Sequence, residues 1–559
     1  MSSSVAARRE TAGHSTSPTY LVLVVVLLLV QCALRIHKSA EFPVYIDEYR
    51  HVHRAQLVYT FGNNPIEFSN GKLLVYYWLG LFSPQGHSAV VVGRYAIAIV
   101  SLITGAVTCS IARRLFGPLP ALFALAFYAL APHVIFFERL ALADPVASAL
   151  ATLSIWQLLR YLNTPSRRQA ILVGVLITGA VFAKLTTALL MGFPVIAIML
   201  ASKERVGLRS RQSISRWSER LWQQHGSGLK LIQWIYIAAW LGLLILVLIS
   251  LAAGNRPVLF PTRTIGIRFN AGEALLFRAE VLYTIIQTML SVPVAGALVL
   301  TIPFLLWRAP RRTLFLVMWL AVLWGPSLIL TWMPETRYLV IGYPALAVLV
   351  GAVYWLGIRA IRALADWRGS RWARSTASWA AASVVVGGLS VWALLFVAPF
   401  MTKLVHAPET LALPVMEIEL FFRGPNGWAV SDALAYLDEH GERLDERVPV
   451  IGRFHYTAAD RDYCGLAALY VPDTLDWDCD VVIMDYGNEP EDINAMTPRD
   501  IWLDVRTTSG QRPFAYLVVD RPLPAISPDM GLDATKVFER QRPHDGSIVS
   551  VWRVDLAEE

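Results

Sequence analysis

Residues 20–53 read YLVLVVVLLLVQCALRIHKSAEFPVYIDEYRHVH. An apolar run of membrane length is followed, about ten residues later, by the acidic pair Asp47-Glu48, with Arg50, His51 and His53 close behind. Charge placed just past a bilayer edge is costly unless it faces water or a partner, which makes it a candidate functional group. The reading of the whole chain turns on which side of a membrane this cluster faces and what meets it there.

Composition supports the membrane. Of 559 residues, 55% are hydrophobic and only 16% charged, a balance that leaves too little polar surface for a soluble protein of this length. The formal net charge of +7 conceals an asymmetry. From residue 406 onward there are 29 Asp/Glu against 13 Lys/Arg, net −16, so the first 405 residues carry +23. That basic excess lies in short loops between apolar runs, where the positive-inside rule accounts for it, so no nucleic-acid partner is expected. Cys32 and Cys109 fall in apolar runs; Cys464 and Cys479 lie in the acidic tail and can pair if that tail faces an oxidising space. No Cys/His spacing of the metal-binding kind occurs. No cofactor is expected, and nothing in the sequence supports a divalent metal. The first apolar run follows a polar, Ser-rich stretch, Met1–Pro18, without a convincing cleavage site, and reads as a retained helix.

Apolar stretches that can span occur at about 19–36, 88–109, 118–137, 143–162, 170–184, 186–201, 230–252, 284–307, 313–332, 338–358 and 377–400. With the tail carrying Arg8 and Arg9 in the cytoplasm, every loop that then falls inside carries basic residues. These are Arg113-Arg114; Arg160, Arg167 and Arg168; the run from Lys203 to Lys230; Arg308, Arg311 and Arg312; and Arg359 to Arg374. The expected fold is therefore a polytopic α-helical membrane protein of about eleven transmembrane helices. It comprises a cytoplasmic tail, 1–18, a membrane domain, 19–403, with first outer loop 37–87, and an extracytoplasmic segment, 404–559. In that last segment a helical pattern at 428–440 precedes the strand-like runs 448–454, 481–486, 514–520 and 548–554, which read as a small α/β domain. The location this implies is a plasma membrane, most simply a bacterial inner membrane.

On the outer side the chemistry-bearing residues gather at helix ends. Asp47, Glu48, Arg50, His51 and His53 are joined by Lys72 before LLVYYWLGLF, by Glu138-Arg139 and Asp144 in FFERLALADP, and by Glu335, Arg337 and Tyr338 in PETRYLVIGYPALAVL. Plainer readings stand beside the functional one. Glu138-Arg139 reads equally as a local ion pair closing a turn, Arg337-Tyr338 as an interfacial anchor, Lys72 as a snorkelling lysine, and His51 and His53 as surface residues of a juxtamembrane helix. Taken together, the cations Arg50, Lys72 and Arg337 and the phenol of Tyr338 suit a phosphate or pyrophosphate on an apolar tail, and a nearby carboxylate suits general-base activation of a hydroxyl.

At these residues the chain resembles the GT-C membrane glycosyltransferases that use polyprenyl-phosphate sugars, specifically the branch with protein O-mannosyltransferases and lipid A aminoarabinose transferases. IDEYR, GKLLVYYWL, ERLALADP, GAVFAKLTT and ETRYLVIGYPALAVL carry the resemblance across roughly residues 20–350. It implies Asp47 as catalytic base with Glu48 as its supporting neighbour, and Arg50 and Lys72 as contacts of the lipid phosphate. Asp144 falls in the second acidic motif beside Glu138 and Arg139, which are also taken as substrate-binding, and Arg337 with Tyr338 forms a late phosphate contact. The sequence departs from the family pattern in reading Lys72-Leu73-Leu74, without the prolines usual there. The implied partners are a polyprenyl-phosphate-linked sugar donor, a protein, glycolipid or glycan acceptor, and membrane lipid. The expected activity is an inverting transfer of a hexose or pentose to a hydroxyl acceptor. The competing classes are a lipid-linked-sugar transporter or flippase, which would place charges deep within repeated helices, and a non-catalytic assembly protein.

Overall fold

The structure is a computed structural model. It describes residues 17–60, 71–85, 88–201, 211–254, 291–329, 336–367, 386–413, 427–455, 463–482, 498–510, 512–520, 532–542 and 548–556, with a few isolated residues between them. Arg256, Arg263 and Arg268 of the loop 253–283, Glu335, and the inner-loop residues Lys203, Arg205, Arg209, Arg368, Arg371 and Arg374 lie outside the described residues.

The chain is mostly helical. α1 (Pro18–Ile36) opens with proline at its first turn, where the missing N–H costs nothing. The short helices α2 (Ile46–Leu57) and α3 (Leu73–Gly80) occupy the first loop. α4 (Ala89–Phe116) stops at Gly117, whose φ of 102° a side chain would resist, and Arg113 and Arg114 sit favourably at its negative end. α5 (Pro118–Leu130) and α6 (Pro132–Glu138) form a pair bent by 58° at Pro132. Then follow α7 (Ala143–Asn163), α8 (Arg167–Ala183), a 3₁₀ segment Leu185–Gly192, α9 (Phe193–Ala201), α10 (Arg211–Ala252), α11 (Val292–Arg308), α12 (Pro310–Ile329), a second 3₁₀ segment Thr336–Gly342, α13 (Tyr343–Trp367) and α14 (Ala398–His406). Close packing relies on small residues. A Cβ on Gly351 of α13 would lie 2.5 Å from the Pro120 carbonyl oxygen of α5.

Among the described residues five helices are long and apolar enough to cross a membrane, or six if the bent α5–α6 pair is one span. Sequence reading places spans on α7, α8, α9, α11 and α12 as well. α9 and α11 lie in apolar helices below spanning length. α7 carries Asp144, Ser148, Thr152, Ser154 and Gln157, all buried, at the centre of the bundle. Polar residues buried against neighbouring helices lower the apolar signal of a helix that touches little lipid.

The two ends of the bundle differ in chemistry. α4 starts beside α2, through Arg94, and ends at Arg113 and Arg114. α7 starts at Asp144 and ends beyond Arg160, and α8 returns from Arg167 to Lys184. Arg312 at the start of α12 donates to the Leu115 carbonyl at the end of α4. Basic turns thus gather at one end, and the acidic motifs at the other.

The last part of the chain forms a five-stranded sheet of order β2-β1-β3-β5-β4, from β1 (Val448–His455), β2 (Leu475–Val482), β3 (Phe514–Val519), β4 (Leu532–Gln541) and β5 (Ile548–Leu556). β1 is parallel to β2 and β3, and β5 is antiparallel to β3 and β4. Three of the four expected strand runs are seen; of the second, 481–486, the first two residues end β2 and residues 483–486 lie outside the described residues. β4 adds a strand the pattern does not announce: LDATKVFERQ is polar because it is an edge, broken by an irregularity between Lys536 and Phe538. β3 is buried throughout and alternates between two cores. Ala515, Leu517 and Val519 face helix Pro498–Ser509 through Trp502 and Val505. Phe514, Tyr516 and Val518 join a core shared with Val430 and Leu434, and with Phe42, Tyr45, Phe136, Phe137 and Leu339 of the helical part. The sheet and the first loop therefore share one hydrophobic core. The Val44 N–H donates to the Tyr470 hydroxyl oxygen at 2.8 Å, and the Gly427 N–H donates to the Val44 carbonyl. Cys464 and Cys479 form a disulfide.

Candidate active site

The site is organised by α2. Its first turn contains Asp47 and Glu48, where carboxylates favour the positive end of a helix. Successive residues on a helix diverge by about 100°, so the two acids serve different places. Glu48 is wholly buried and receives a bidentate pair from Arg94 of α4 (Nε–Oε1 2.8 Å, Nη2–Oε2 2.7 Å). It also accepts the N–H of Tyr45 at 3.1 Å and of Ala141 at 2.8 Å. Arg94 donates further to the carbonyls of Ser39, Phe42 and Pro43. This closed network ties α2, α4 and the turn before it into one body. Expected as a catalytic partner of Asp47, Glu48 instead holds the scaffold.

Asp47 turns the other way and keeps some access to water. Arg337 of the second 3₁₀ segment donates to it at 2.6 Å, and Arg50, one turn later on α2, lies 3.6 Å away. Burial pushes this carboxyl up, but the surrounding cations, Arg337 foremost and then Lys72 and Arg50, outweigh it and hold Asp47 well below the usual carboxylate range.

Lys72 is placed by a residue that the sequence reading treated as a surface group. His51 is buried, its Nδ1–H donates to the Ala141 carbonyl at 2.8 Å, and its Nε2 therefore accepts from the Lys72 ammonium at 3.1 Å. Burial and then the Lys72 charge press the His51 imidazole well below its ordinary range, which keeps it neutral and able to accept. Burial also lowers Lys72, with Asp47 opposing and Arg337 adding to the shift. The backbone of Ala141 is thus gripped by α2 twice, through Glu48 and through His51. His53, by contrast, is exposed and stacks on Tyr49.

Asp144, at the start of α7, pairs at 2.5 Å with Lys184, which follows α8 in extended conformation. The Lys184 ammonium lies 3.9 Å from the ring centre of Tyr338, and Arg337 lies 5.4 Å from the same ring. Charges of Asp144 and Arg337 both act on Lys72. The group is therefore one site with two carboxylates, Asp47 and Asp144, and four cations, Arg50, Lys72, Lys184 and Arg337. Lys184 was legible only as part of GAVFAKLTT, since a lone lysine between two apolar runs does not show its partner.

Glu138 and Arg139 stand apart. Glu138 is wholly buried and pairs not with Arg139 but with Arg35 of α1 at 3.0 Å, while Tyr128 donates to its other oxygen. Arg35 completes its bonds on the carbonyls of Gln31, Tyr128 and Ala129. Arg139 donates to the Leu34 carbonyl. No described hydrogen bond or ion pair joins either residue to the Asp47 group. The turn-closing Glu138–Arg139 pair is thus replaced by a link between distant helices. Among the described residues no group of three or more His, Cys, Asp or Glu side chains is placed to hold a metal ion.

Residues 73–214, which include Asp144 and Lys184, match the family model described as dolichyl-phosphate-mannose-protein mannosyltransferase. The chain resembles the GT-C membrane glycosyltransferases. Solved structures similar to this chain include ArnT from Cupriavidus metallidurans bound to undecaprenyl phosphate, at 18% identity and TM-score 0.49, covering 96% of this chain and 98% of that one. The oligosaccharyltransferase AglB from Archaeoglobus fulgidus, in complex with an inhibitory peptide and a dolichol-phosphate, is 14% identical with TM-score 0.45, covering 91% and 70%. The arabinofuranosyltransferase AftD from Mycobacteria is 14% identical with TM-score 0.39, covering 97% and 40%. A search of curated proteins finds no match.

Proposed function

We propose that this chain is a membrane glycosyltransferase that takes a sugar from a polyprenyl-phosphate carrier and passes it, with inversion, to a hydroxyl acceptor on the outer face of the membrane. The observation that carries this reading is the charge balance around Asp47: among the described residues four cations gather with two carboxylates at the end of apolar helices, an excess of two positive charges. That excess suits a leaving phosphate, which gains negative charge as its bond to the sugar breaks. The matched family model, named for a prenyl-phosphate sugar, supports the donor class.

In the proposed reaction Asp47 takes the acceptor proton while the acceptor oxygen bonds to the anomeric carbon. The bond from that carbon to the phosphate oxygen breaks, its electron pair stays on the phosphate, and the carrier leaves as a dianion. Arg337, Arg50, Lys72 and Lys184 receive that charge, and Tyr338 orients Lys184 and Arg337. A carboxylate gripped by Arg337 is a weak base. An entering phosphate competes for that guanidinium, and Asp47 gains basicity as Arg337 transfers to it. Glu48 positions Asp47 through α2. The arrangement of about eleven spans, with the N-terminal tail inside and the sheet outside a bacterial inner membrane, belongs to the same proposal.

Sugar transfer from a polyprenyl-phosphate sugar in membranes tests it. Asp47→Asn is expected to lower kcat about 10²–10⁴-fold at normal expression. Arg337→Ala or Lys72→Ala is expected chiefly to weaken donor use. Full activity in Asp47→Asn removes the general-base role, and unchanged donor dependence in both cation variants removes the phosphate site.

A further inference from the structure

A cavity of about 450 Å³ lies between the α7–α8 turn and α10. It is at the end of the bundle opposite Asp47. α7 runs 21 residues from the Asp144 end, roughly 30 Å, before reaching this turn. The catalytic proposal leaves it unused.

Its walls are graded. Arg167 and Ser166 come from the start of α8, and Gln224, Ser227 and Lys230 from α10, with Trp234 one turn beyond Lys230. No carboxylate lines the cavity, and neither Arg167 nor Lys230 has an acidic partner among the described residues. Lys230 rests 5.4 Å from the ring centre of Trp222, which leaves its hydrogens for another acceptor. Ser227, Lys230, Leu231 and Trp234 recur at spacings that share one helix face. Polar groups come first along that stripe, and apolar ones follow about 6 Å deeper, within the part of α10 that can cross a membrane. Trp234 is 65% exposed to the surroundings of that span. Two unpaired cations with hydroxyl and amide donors match a phosphate, and the apolar floor matches the start of acyl chains. A free phosphate would use only the upper half.

We propose that this cavity binds the phosphate headgroup of an anionic phospholipid in the leaflet that the basic loops face, with Arg167 and Lys230 on the phosphate and Trp234 along the chains. Basic pockets between membrane helices on that side are suited to such lipids.

The test uses the full-length protein, delipidated in detergent and titrated with phosphatidylglycerol, phosphatidylcholine or inorganic phosphate, with binding read by native mass spectrometry and thermal shift. Phosphatidylglycerol is expected to bind more tightly than the other two. The double variant R167Q/K230Q is expected to weaken it about thirtyfold, whereas R167K/K230R keeps wild-type binding and shows that the fold tolerates change there. W234A should weaken phosphatidylglycerol without changing inorganic phosphate. R168Q, next to the cavity but outside its lining, should behave as wild type. Equal binding of both lipids, wild-type binding by R167Q/K230Q, or an equal loss in R168Q overturns the site. Inorganic phosphate binding as tightly as phosphatidylglycerol overturns the lipid assignment.

Discussion

Among the described residues the Lys72 ammonium hydrogen-bonds to an imidazole nitrogen, that of His51, 3.1 Å away. Its folded pKa lies below the ordinary lysine range, so its charge is present at low pH and is lost as pH rises through that lowered value. Donor kcat/KM is therefore expected to fall on the alkaline side earlier than for an unperturbed lysine. In Lys72→Arg, whose guanidinium stays charged, that limb should move to higher pH; matching profiles for both proteins would show that Lys72 does not set it. Asp47 has the opposite sign. Its folded pKa is depressed, so the stabilisation from Arg337 is full above the ordinary carboxylate value and fades only as pH falls below it. Wild type should lose more stability than Asp47→Asn on going from pH 5 to pH 2, measured by urea unfolding in detergent. The acids, Arg50, Lys72 and Arg337 could be read from their place at helix ends. His51 and Lys184 could not, because what makes them matter is a partner 21 or 40 positions away.

α2 is short, and its position is enforced by contacts rather than by length. Glu48 and Arg94 do most of this, joining it to α4, while the Ala141 backbone joins it to the turn after α6. Breaking a buried ion pair by removing one partner costs about 3–5 kcal/mol. Glu48→Gln and Arg94→Met should each lower stability on that scale. The double variant should not restore it fully, because Gln keeps only one of the two oxygens that accept the Tyr45 and Ala141 N–H groups, and without Arg94 the carbonyls of Ser39, Phe42 and Pro43 lose their donor. A thermal-melt double-mutant cycle measures this, and full recovery in the double variant would mean that the ion pair alone matters. Hydropathy reads Arg94 and Arg35 as blemishes in apolar runs, since a window average holds no record of a carboxylate 46 or 103 residues away. The same averaging hides α7, whose polar side chains face other helices, and β4, whose polarity is that of an edge.

For the whole molecule, the sheet is coupled to the site through Val44, three residues before Asp47. Tyr470→Phe removes the hydroxyl that meets the Val44 N–H, and it should lower activity more than global stability. The adjoining disulfide, with 15 positions between Cys464 and Cys479, should contribute about 3 kcal/mol to that region. C464S/C479S should therefore melt earlier and expose the tail to protease added outside intact cells. A tail cleaved only after cell disruption would place the sheet, and with it Asp47, on the other side. The Arg35–Glu138 pair has a consequence in time. At about 5–20 residues per second of synthesis, α1 emerges roughly 5–20 s before its counter-charge, which lies 103 residues downstream. During that interval the newborn first helix carries an unmatched guanidinium in its last turn, where it can reach the membrane surface until α6 brings its partner.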